Sequence, residues 1–440
     1  MNFIDLFAGA GGLSEGFYQA GFEPICHIEM MKEACETLTT RAFYYYLKKN
    51  GNDLSIYKKH LQEKIDKATF ESQIPQDVKD SVICQTMSDE TLPDIFETIE
   101  KRMTSLNQSK VDVIIGGPPC QAYSIVGRSR TDMSKDPRNH LYLLYLEFLE
   151  RFSPSIFVFE NVQGILTAGG GKFFKDLKKR CKLLNYRVEN RILKAEDYGV
   201  LQKRRREIII GIRTESCLKP EDFPFPKPDA EKYKDFTVHD LLTGLPALKP
   251  GGKNNTYCRG NISKYLKETK IRQPGDVLTW HQTRPIRAFD QQIYKFVIEY
   301  TQKNHRTPDY TEIPPDLQTH KNKTSFLDRF KVVQANAHAC QTMVAHISKD
   351  GHYYIYPDPE QLRSLSVREA ARIQSFPDNF YFEGHRTSAF VQIGNAVPPL
   401  LACAVANSIK VYLEEKAKLE PHFFLTAPAA SISLSSASGK

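Results

Sequence analysis

The chain has 440 residues, of which 41% are hydrophobic and 25% charged, and its formal net charge is +8. This length and composition exclude a disordered chain and leave room for two domains that each bury a core. The sequence has no run of about 18 uncharged apolar residues, which a membrane helix would need, so we expect a soluble, cytoplasmic protein without a membrane partner. The modest basic excess suits a polyanionic partner, although many other enzymes are equally basic.

The cysteines of this chain argue against both a disulfide framework and a zinc site. They are odd in number, scattered, and never spaced as a Cys-x-x-Cys pair. We therefore expect no bound metal. The nine residues are Cys26, Cys35, Cys84, Cys120, Cys181, Cys217, Cys258, Cys340 and Cys403.

In the N-terminal half, short β-branched or aromatic runs alternate with helical patterns, which is typical of a mostly parallel sheet with crossover helices. We therefore predict an α/β fold with a doubly wound sheet. Helices are predicted at Leu141 to Phe152 and Lys172 to Leu184. The predicted strands are Phe3 to Leu6, Phe22 to Ile28, Val111 to Ile115, Ile156 to Phe159, Arg187 to Leu193 and Arg206 to Ile212.

Four segments are predicted from shifts in composition. Residues 1–250 form the first domain, residues 251–346 a smaller second domain, residues 347–420 a return to the first domain with bracing helices, and residues 421–440 a disordered tail. The bracing helices are predicted at Val367 to Ile373 and at about Leu400 to Lys416.

An insertion at about residues 41–80 interrupts the alternation of strands and helices, and we interpret it as a surface excursion with helical periodicity. Its lysines could contact a polyanion, but a solvated helix face is the simpler interpretation. They include Lys48, Lys49, Lys58, Lys59, Lys64 and Lys67.

A glycine-rich turn follows the first predicted strand and contains Gly9, Gly11 and Gly12. Such a turn lets a ligand approach the backbone closely and directs amide donors at it from a helix N-terminus. Ser14 stands where a dinucleotide-binding fingerprint has its third glycine, which argues against NAD or FAD. Glu29, at the end of the next strand, could accept hydrogen bonds from both hydroxyls of a ribose. S-adenosylmethionine has a ribose but no pyrophosphate and would suit this pattern, while a tight turn without a ligand is the alternative.

A cysteine on a stiff loop follows the strand Val111 to Ile115. Pro118 and Pro119 fix the backbone just before Cys120 and remove two amide donors. Ligands of open α/β sheets bind at the carboxyl ends of the strands, where this loop lies. An isolated cysteine is more often a small buried hydrophobic residue, but the Pro-Pro-Cys-Gln setting favours catalysis.

Six blocks of this sequence, in this order, resemble the motif set of the C5-type DNA cytosine methyltransferases. The resemblance spans nearly the whole chain except the insertion, the region 251–346 and the tail. It implies a Rossmann-like S-adenosylmethionine-dependent fold with target recognition in residues 251–346, and double-stranded DNA as substrate. The blocks are Phe3 to Phe17, Gly116 to Ser124, Glu160 to Val162, Gln202 to Arg206, Arg363 to Asp378 and Gln392 to Pro399.

The resemblance also implies a mechanism on a cytosine that is swung out of the duplex. Cys120 adds to carbon 6 as a thiolate, which a cationic neighbourhood favours because a free thiol has a pKa near 8.5. Glu160 supplies a proton at N3, Arg206 points at O2 and the thiol, and Arg204 helps to position them. The block Arg363 to Asp378 is expected to brace the small domain and is given no chemistry.

Two further sets of residues follow from the resemblance. Those expected to bind the cofactor are Phe7, Gly9, Gly11, Gly12, Glu29, Pro118 and Asn395. Those expected to contact the substrate are Pro119, Gln121, Ser124, Asn161, Val162 and Gln202.

Two positions depart from the family pattern. Met30 stands where an aromatic residue commonly follows the ribose-binding acid, so adenine stacking would depend on Phe7. No acid occurs in the strand Val82 to Thr86, and Asp89 is the candidate substitute.

The block order starting at Phe3 resembles bacterial or phage enzymes without a large regulatory extension. Such enzymes often accompany a restriction endonuclease that acts on the same site without a stable complex. Three alternatives stay open: a nucleotide-dependent oxidoreductase, which Ser14 and the Cys120 loop disfavour, an RNA cytosine-5 methyltransferase, and a catalytically silent DNA-binding module, which the intact Cys120, Glu160 and Arg206 disfavour.

Overall fold

A seven-stranded sheet forms the centre of the protein. The computed structural model describes residues 1–118, 141–161, 171–214, 218–323, 325 and 327–419. The strands are β1 (Asn2–Leu6), β2 (Glu23–Glu29), β3 (Val82–Cys84), β4 (Val113–Gly116), β5 (Ile156–Asn161), β6 (Tyr186–Lys194) and β7 (Arg205–Arg213). Their order in the sheet is β3-β2-β1-β4-β5-β7-β6. All neighbouring pairs are parallel except those of β7, which runs antiparallel to β5 and β6. The predicted mostly parallel, doubly wound sheet is confirmed.

Helices flank the sheet and build the remainder of the molecule. Those before β4 are α1 (Gly12–Gln19), α2 (Lys32–Lys49), α3 (Ser55–Leu61), α4 (Lys67–Ser72), α5 (Gln76–Lys79) and α6 (Leu92–Ser105). Next come α7 (Leu141–Phe152), α8 (Lys172–Leu183), α9 (Ala230–Tyr233), α10 (Val238–Leu242), α11 (Lys264–Glu268) and α12 (Ala288–Asn304). The last three are α13 (Val367–Ile373), α14 (Arg386–Asn395) and α15 (Pro399–Leu419).

Among the described residues, no single helix is long and apolar enough to cross a membrane. Within this part of the chain, only α14 and α15 together, which are bent at their junction, have the length and apolar composition of a membrane span. Both helices contribute buried apolar side chains to the core.

The sheet has apolar side chains on both faces, which explains why the sequences of its central strands are nearly continuous hydrophobic runs. Alternate residues of a strand point to opposite faces of the sheet. Val113 and Val158 belong to a core cluster shared with α1 and α15. Ile114 and Phe157 belong to a second cluster, shared with α6, α7 and α8. The central strands are therefore covered by helices on both sides.

A second apolar core lies outside the sheet. Leu241 of α10, Leu266 of α11, Ala370 of α13 and Ile393 of α14 pack in one cluster. A smaller cluster joins α12 to Tyr310, Phe330 and Ile355. Segments from both sides of the predicted boundary at residue 250 share the larger cluster, so the division of domains stays a prediction. The predicted tail lies outside the described residues.

The insertion has a core of its own and is more than a surface excursion. Phe43, Tyr57 and Phe70 are buried in it, and Val277 and Tyr381 from distant parts of the chain pack against it. Five of its seven lysines are exposed, and Lys58 and Lys79 are half-buried, as expected for a solvated face. The sequence interpretation missed this core because it did not account for the aromatic side chains of the helices. A helix with an apolar face is stable only when that face packs against other parts of the protein.

The block Arg363 to Asp378 braces the second core through buried ion pairs. Arg363 Nη1 lies 2.7 Å from Glu369 Oε2, and Arg372 Nη2 lies 2.6 Å from Asp378 Oδ2. Ser366 caps α13 and exchanges hydrogen bonds with Glu369. These contacts agree with the structural role that the sequence predicts for this block.

Candidate active site

The sheet topology brings separate predicted site residues to one edge. Residue Leu6 pairs with Ile28 and with Gly116, so the ends of β1, β2 and β4 are level. Gly116 in turn pairs with Phe159 of β5. Because β7 is antiparallel, its first residues lie at the same edge as the last residues of β5. Site residues on this edge or just beyond it are Phe7, Gly9, Glu29, Pro118, Glu160, Asn161 and Arg206.

Glu29 is held against the glycine turn by backbone amides. The Gly9 N–H donates to Glu29 Oε2 and the Met31 N–H donates to Oε1, both at 2.8 Å. Each carboxylate oxygen can accept a second hydrogen bond, which leaves capacity for a diol. Gly9 has a φ of +56°, and a Cβ placed on it would meet nothing within 4 Å. Gly9 therefore faces open space that a ligand can enter.

The other two glycines of the turn serve packing. A Cβ on Gly11, which has a φ of +79°, would lie 2.7 Å from Leu38 Cδ2. A Cβ on Gly12 would overlap the Val397 carbonyl oxygen and lie 2.9 Å from Ala396 Cβ. Both positions are filled by protein, so these glycines let the turn pack closely against Leu38 and residues 396–397.

Ser14 has a structural reason to replace the third glycine of a dinucleotide fingerprint. Its hydroxyl donates to the Asp5 carboxylate and lies 3.1 Å from His27 Nδ1. All three side chains are 1% exposed. The hydroxyl thereby ties α1 to β1 and β2, which a glycine cannot do.

The side of the site where the adenine is expected has no aromatic residue after Glu29 and no acid in β3. Met30 is 64% exposed beside Glu29, and Phe7 is half-buried with a φ of +56°. Cys84 is exposed and pairs in register with Glu29. Asp89 is exposed and lines an open groove of about 580 Å³ with residues of α6 and α7, on the helical layer outside the sheet.

Glu160 of β5 and Arg206 of the neighbouring β7 form an ion pair at this edge. Arg206 Nε lies 2.7 Å from Glu160 Oε1, and the two side chains are 14% and 13% exposed. A Cβ on Gly117 would lie 2.7 Å from Glu160 Oε2, so the carboxylate sits directly against the residue that precedes Pro118. Burial lowers the pKa of Arg206, and the Glu160 carboxylate opposes that effect. An anion next to this pair would be stabilised by a poorly solvated cation.

Arg204 and Gln202 point inward and join distant backbone segments. Arg204 donates to the carbonyls of Met343 at 2.6 Å and Ala396 at 2.9 Å. Burial, followed by repulsion from Arg206, lowers the pKa of Arg204. Gln202 is fully buried, donates to Gln374 Oε1 at 2.8 Å and accepts from the Met343 N–H at 2.8 Å. The contacts of Gln202 give it a positioning role, since no part of its side chain is open to a substrate.

Asn161 holds the backbone at Pro118, two residues before Cys120. Its amide donates to the Pro118 carbonyl at 3.4 Å, and the side chain is 4% exposed. Five expected site residues lie outside the described residues: Pro119, Cys120, Gln121, Ser124 and Val162.

Gln374 is a positioning residue that the sequence interpretation missed. Its amide donates to the Ala396 carbonyl at 2.5 Å while its carbonyl oxygen accepts from Gln202. Asn395, next to Ala396, is exposed at the end of α14. The available signal was a polar residue between the apolar Ile373 and Phe376, in a block that was given no chemistry.

Comparisons with known proteins agree with this arrangement. The model of the family described as C-5 cytosine-specific DNA methylase matches residues 1–88 and 61–411. The Type II methyltransferase M.Bpa9945I of Bacillus paralicheniformis is 40% identical, over 92% of this chain and 98% of that protein. The Type II methyltransferase M.AgeI of Thalassovita gelatinovora is 30% identical, over 93% of this chain and 99% of that protein.

Solved structures share the fold. A protein encoded within an Escherichia coli prophage, described as a DNA modification methyltransferase, superposes with a TM-score of 0.60 at 22% identity, covering 94% of this chain and 99% of that one. Schizosaccharomyces pombe Dnmt2 methyltransferase superposes with a TM-score of 0.53 at 14% identity, covering 94% and 99%. The family match over most of the chain and the 40% identical relative show that the protein belongs to the C-5 cytosine-specific DNA methylase family and is a DNA cytosine-5 methyltransferase.

Proposed function

We propose that the protein transfers a methyl group from S-adenosylmethionine to carbon 5 of a cytosine that is flipped out of a specific duplex DNA sequence, with Cys120 as the covalent nucleophile. The observation that carries this proposal is the Glu160–Arg206 pair, held against Gly117 three residues before Cys120. An acid and a cation thus lie beside the backbone that leads to Cys120. Such a set suits nucleophilic attack on a heterocycle that gains negative charge.

The cofactor fits the glycine-turn end of the edge. Glu29 would bind the ribose hydroxyls, Phe7 and Gly9 would face the adenosine, and Pro118 and Asn395 would lie towards the methionine. The open space at Gly9 and the amide-fixed carboxylate of Glu29 support this fit. S-adenosylmethionine, when bound, supplies an electrophilic methyl group on a sulfonium. Gly11 and Gly12 shape the turn that receives it.

The protein groups then act on the cytosine. The Cys120 thiolate forms a bond to carbon 6, Glu160 donates a proton to N3, and Arg206 stabilises charge at O2. Carbon 5 gains the electron density to take the methyl group. Water takes the proton from carbon 5, N3 returns its proton to Glu160, and departure of the thiolate from carbon 6 restores the aromatic ring. Arg204 and Gln202 hold the backbone around the site, and Pro119, Gln121, Ser124, Asn161 and Val162 border the base.

DNA recognition is assigned to the region 251–346, as the smaller domain beside a catalytic domain of residues 1–250 and 347–420. Its side chains are rich in groups that can bond to base edges in a groove. Extrusion of the base costs a few kcal/mol, which contacts to the DNA must offset. The Type II relatives favour a modification enzyme whose cognate restriction endonuclease cuts the same site.

The test of this function is Cys120→Ala. We expect the variant to lose methyl transfer to duplex DNA and to keep DNA binding, because only the attacking sulfur is removed. Transfer of labelled methyl groups and gel-shift binding measure the two properties. Wild-type protein should also be trapped covalently on duplexes that carry 5-fluorocytosine. Methyl transfer by the alanine variant, or greater transfer to tRNA than to DNA by the wild type, would contradict the proposal. Bisulfite sequencing of DNA from expressing cells would identify the site.

A further inference from the structure

A buried polar cluster joins the insertion to the helix that ends at Asn395. Thr37 and Thr40 come from α2, His60 from α3, Glu383 from the loop before α14, and Gln392 from α14 itself. Their exposed fractions are 0%, 4%, 7%, 5% and 4%, in that order. Three distant segments therefore share one solvent-excluded hydrogen-bond network, which we call the His60 cluster.

Glu383 is the centre of the His60 cluster. His60 Nε2 lies 2.8 Å from Glu383 Oε1, and the Thr40 hydroxyl donates to the same oxygen at 2.7 Å. Phe70 stacks on the ring of His60 and fixes its orientation, with 3.8 Å between the ring centroids and 6° between the ring planes. A carboxylate buried this deeply is tolerated only with such partners. The insertion therefore supplies a group that Glu383 needs.

The His60 cluster reaches Gln392 through a closed ring of hydrogen bonds. The Glu383 N–H donates to Thr37 Oγ1 at 2.8 Å, and the Thr37 hydroxyl donates to Gln392 Oε1 at 2.7 Å. The Gln392 amide then donates to the Glu383 carbonyl oxygen at 2.9 Å. The side chain of Gln392 is thus oriented from both ends.

Gln392 lies one helical turn before the segment that borders the glycine turn. Asn395 ends α14, and the next residues, Ala396 and Val397, lie against Gly12. Gly394 is pressed against Val344 and Ala345, so close that a Cβ on it would overlap their backbone. A rotation of α14 would move Asn395 relative to Glu29 and Gly9. The orientation of Gln392 therefore affects the geometry of the cofactor end of the site.

We propose that His60 is a positioning residue for S-adenosylmethionine, acting through Glu383, Thr37 and Gln392 on Asn395. This inference rests on the proposed role of Asn395 at the methionine end of the cofactor. It gives the insertion a role in cofactor affinity. His60 touches neither substrate nor reacting atoms, so its removal should act on the binding of the methyl donor and leave the chemical step intact.

The experiment compares four variants of the full chain by calorimetric titration with S-adenosylmethionine and by steady-state kinetics on duplex DNA. His60→Ala removes the partner of Glu383, His60→Gln keeps a side-chain donor, and Thr37→Val removes the bridging hydroxyl at nearly constant shape. Gln62→Ala is the matched control, since Gln62 is exposed just after α3. Thermal unfolding of each variant shows whether it is folded.

For His60→Ala and Thr37→Val we expect Kd and KM for the methyl donor to rise about tenfold or more, with kcat at saturating donor changed less than about twofold. His60→Gln should recover most of the affinity, and Gln62→Ala should match the wild type. Equal Kd values for wild type and folded His60→Ala would overturn the inference, as would a loss confined to kcat. If His60→Ala does not fold, an unchanged Kd in Thr37→Val overturns it. A wild type that neither binds nor uses the donor would instead contradict the proposed function.

Discussion

At the scale of single residues, the site is built from side chains whose burial is compensated by one specific partner. Glu160 and Arg206 satisfy each other at 2.7 Å at the sheet edge. Arg204 instead donates to the three backbone carbonyls of Met343, Gly394 and Ala396 and has no carboxylate within ion-pair distance among the described residues. Glu160 and Arg206 are partly exposed at the edge, where we propose that they contact the base, whereas Arg204 is fully buried by its backbone contacts.

We expect Glu160→Gln to lower kcat by about 10²- to 10⁴-fold, because an amide keeps the shape of the side chain but cannot supply the proton to N3. The Kd for S-adenosylmethionine should stay unchanged, since Glu29 and Gly9 lie at the other end of the edge. Single-turnover methylation and calorimetry measure these quantities, with Glu221→Gln, an exposed site, as control. An unaltered kcat would remove Glu160 from the mechanism.

At the scale of elements, the contact between α1 and α15 explains why the first helix is rich in glycine. A Cβ on Gly16 would overlap Ala402 and the backbone of Cys403, and one on Gly12 would overlap Val397. The two helices therefore approach backbone to backbone. Close packing of α1 also brings the segment after Asn395 to the glycine turn, at the end of the sheet edge that we propose binds the cofactor.

The variants Gly16→Ala and Gly9→Ala should separate packing from ligand binding. Gly16→Ala overfills the helix contact and should lower the free energy of unfolding by about 1–3 kcal/mol. Gly9→Ala meets open space but keeps a left-handed backbone, which costs about 1–2 kcal/mol.

Urea unfolding and calorimetry then distinguish the two glycines. Gly9→Ala should weaken the binding of S-adenosylmethionine to folded protein more than Gly16→Ala does, because its methyl group occupies the ligand side of the turn. If folded Gly16→Ala lost more affinity than Gly9→Ala, the assignment of the two glycines would be reversed.

At the scale of the whole molecule, buried ion pairs within residues 363–378 hold the second core together. Burial alone would raise the pKa of Asp378, but Arg372 overrides this effect and holds the pKa below its ordinary value. The pKa of Glu369 is lowered in the same way, with Arg363 opposing the effect of burial. Both carboxylates are 0–1% exposed, so screening by solvent is weak.

Because the folded pKa values of Asp378 and Glu369 are lowered, their stabilisation is complete above the ordinary carboxyl pKa of about 4 and is lost as the pH falls below it. The urea concentration at which half of the wild-type protein is unfolded should therefore decrease when the pH is lowered below about 4. Asp378→Asn should be less stable at pH 7 by about 3–5 kcal/mol, since Arg372 is left buried without its partner, and its midpoint should depend less on pH in the acid range. Identical acid profiles for the two proteins would contradict this assignment.

The sequence alone determined the features that depend on local pattern. Runs of apolar residues gave the strands and the last helices to within a few residues, because period and length are properties of a short segment. The ordered blocks gave the family, the expected thiol and the acid–cation pair. A common edge for the ends of the parallel strands could be expected, but Arg206 lies at that edge because β7 runs antiparallel to β5, which the local pattern does not show.

Tertiary structure decided which side chains face a ligand and which face protein. Gly9 faces open space, whereas the space beside Gly11 and Gly12 is occupied by Leu38 and Val397, although all three residues are glycines. Gln202 points inward to Gln374, and the insertion packs its aromatic face against residues more than 200 positions away. Burial depends on what distant segments bring into contact, and that information is absent from any single stretch of sequence.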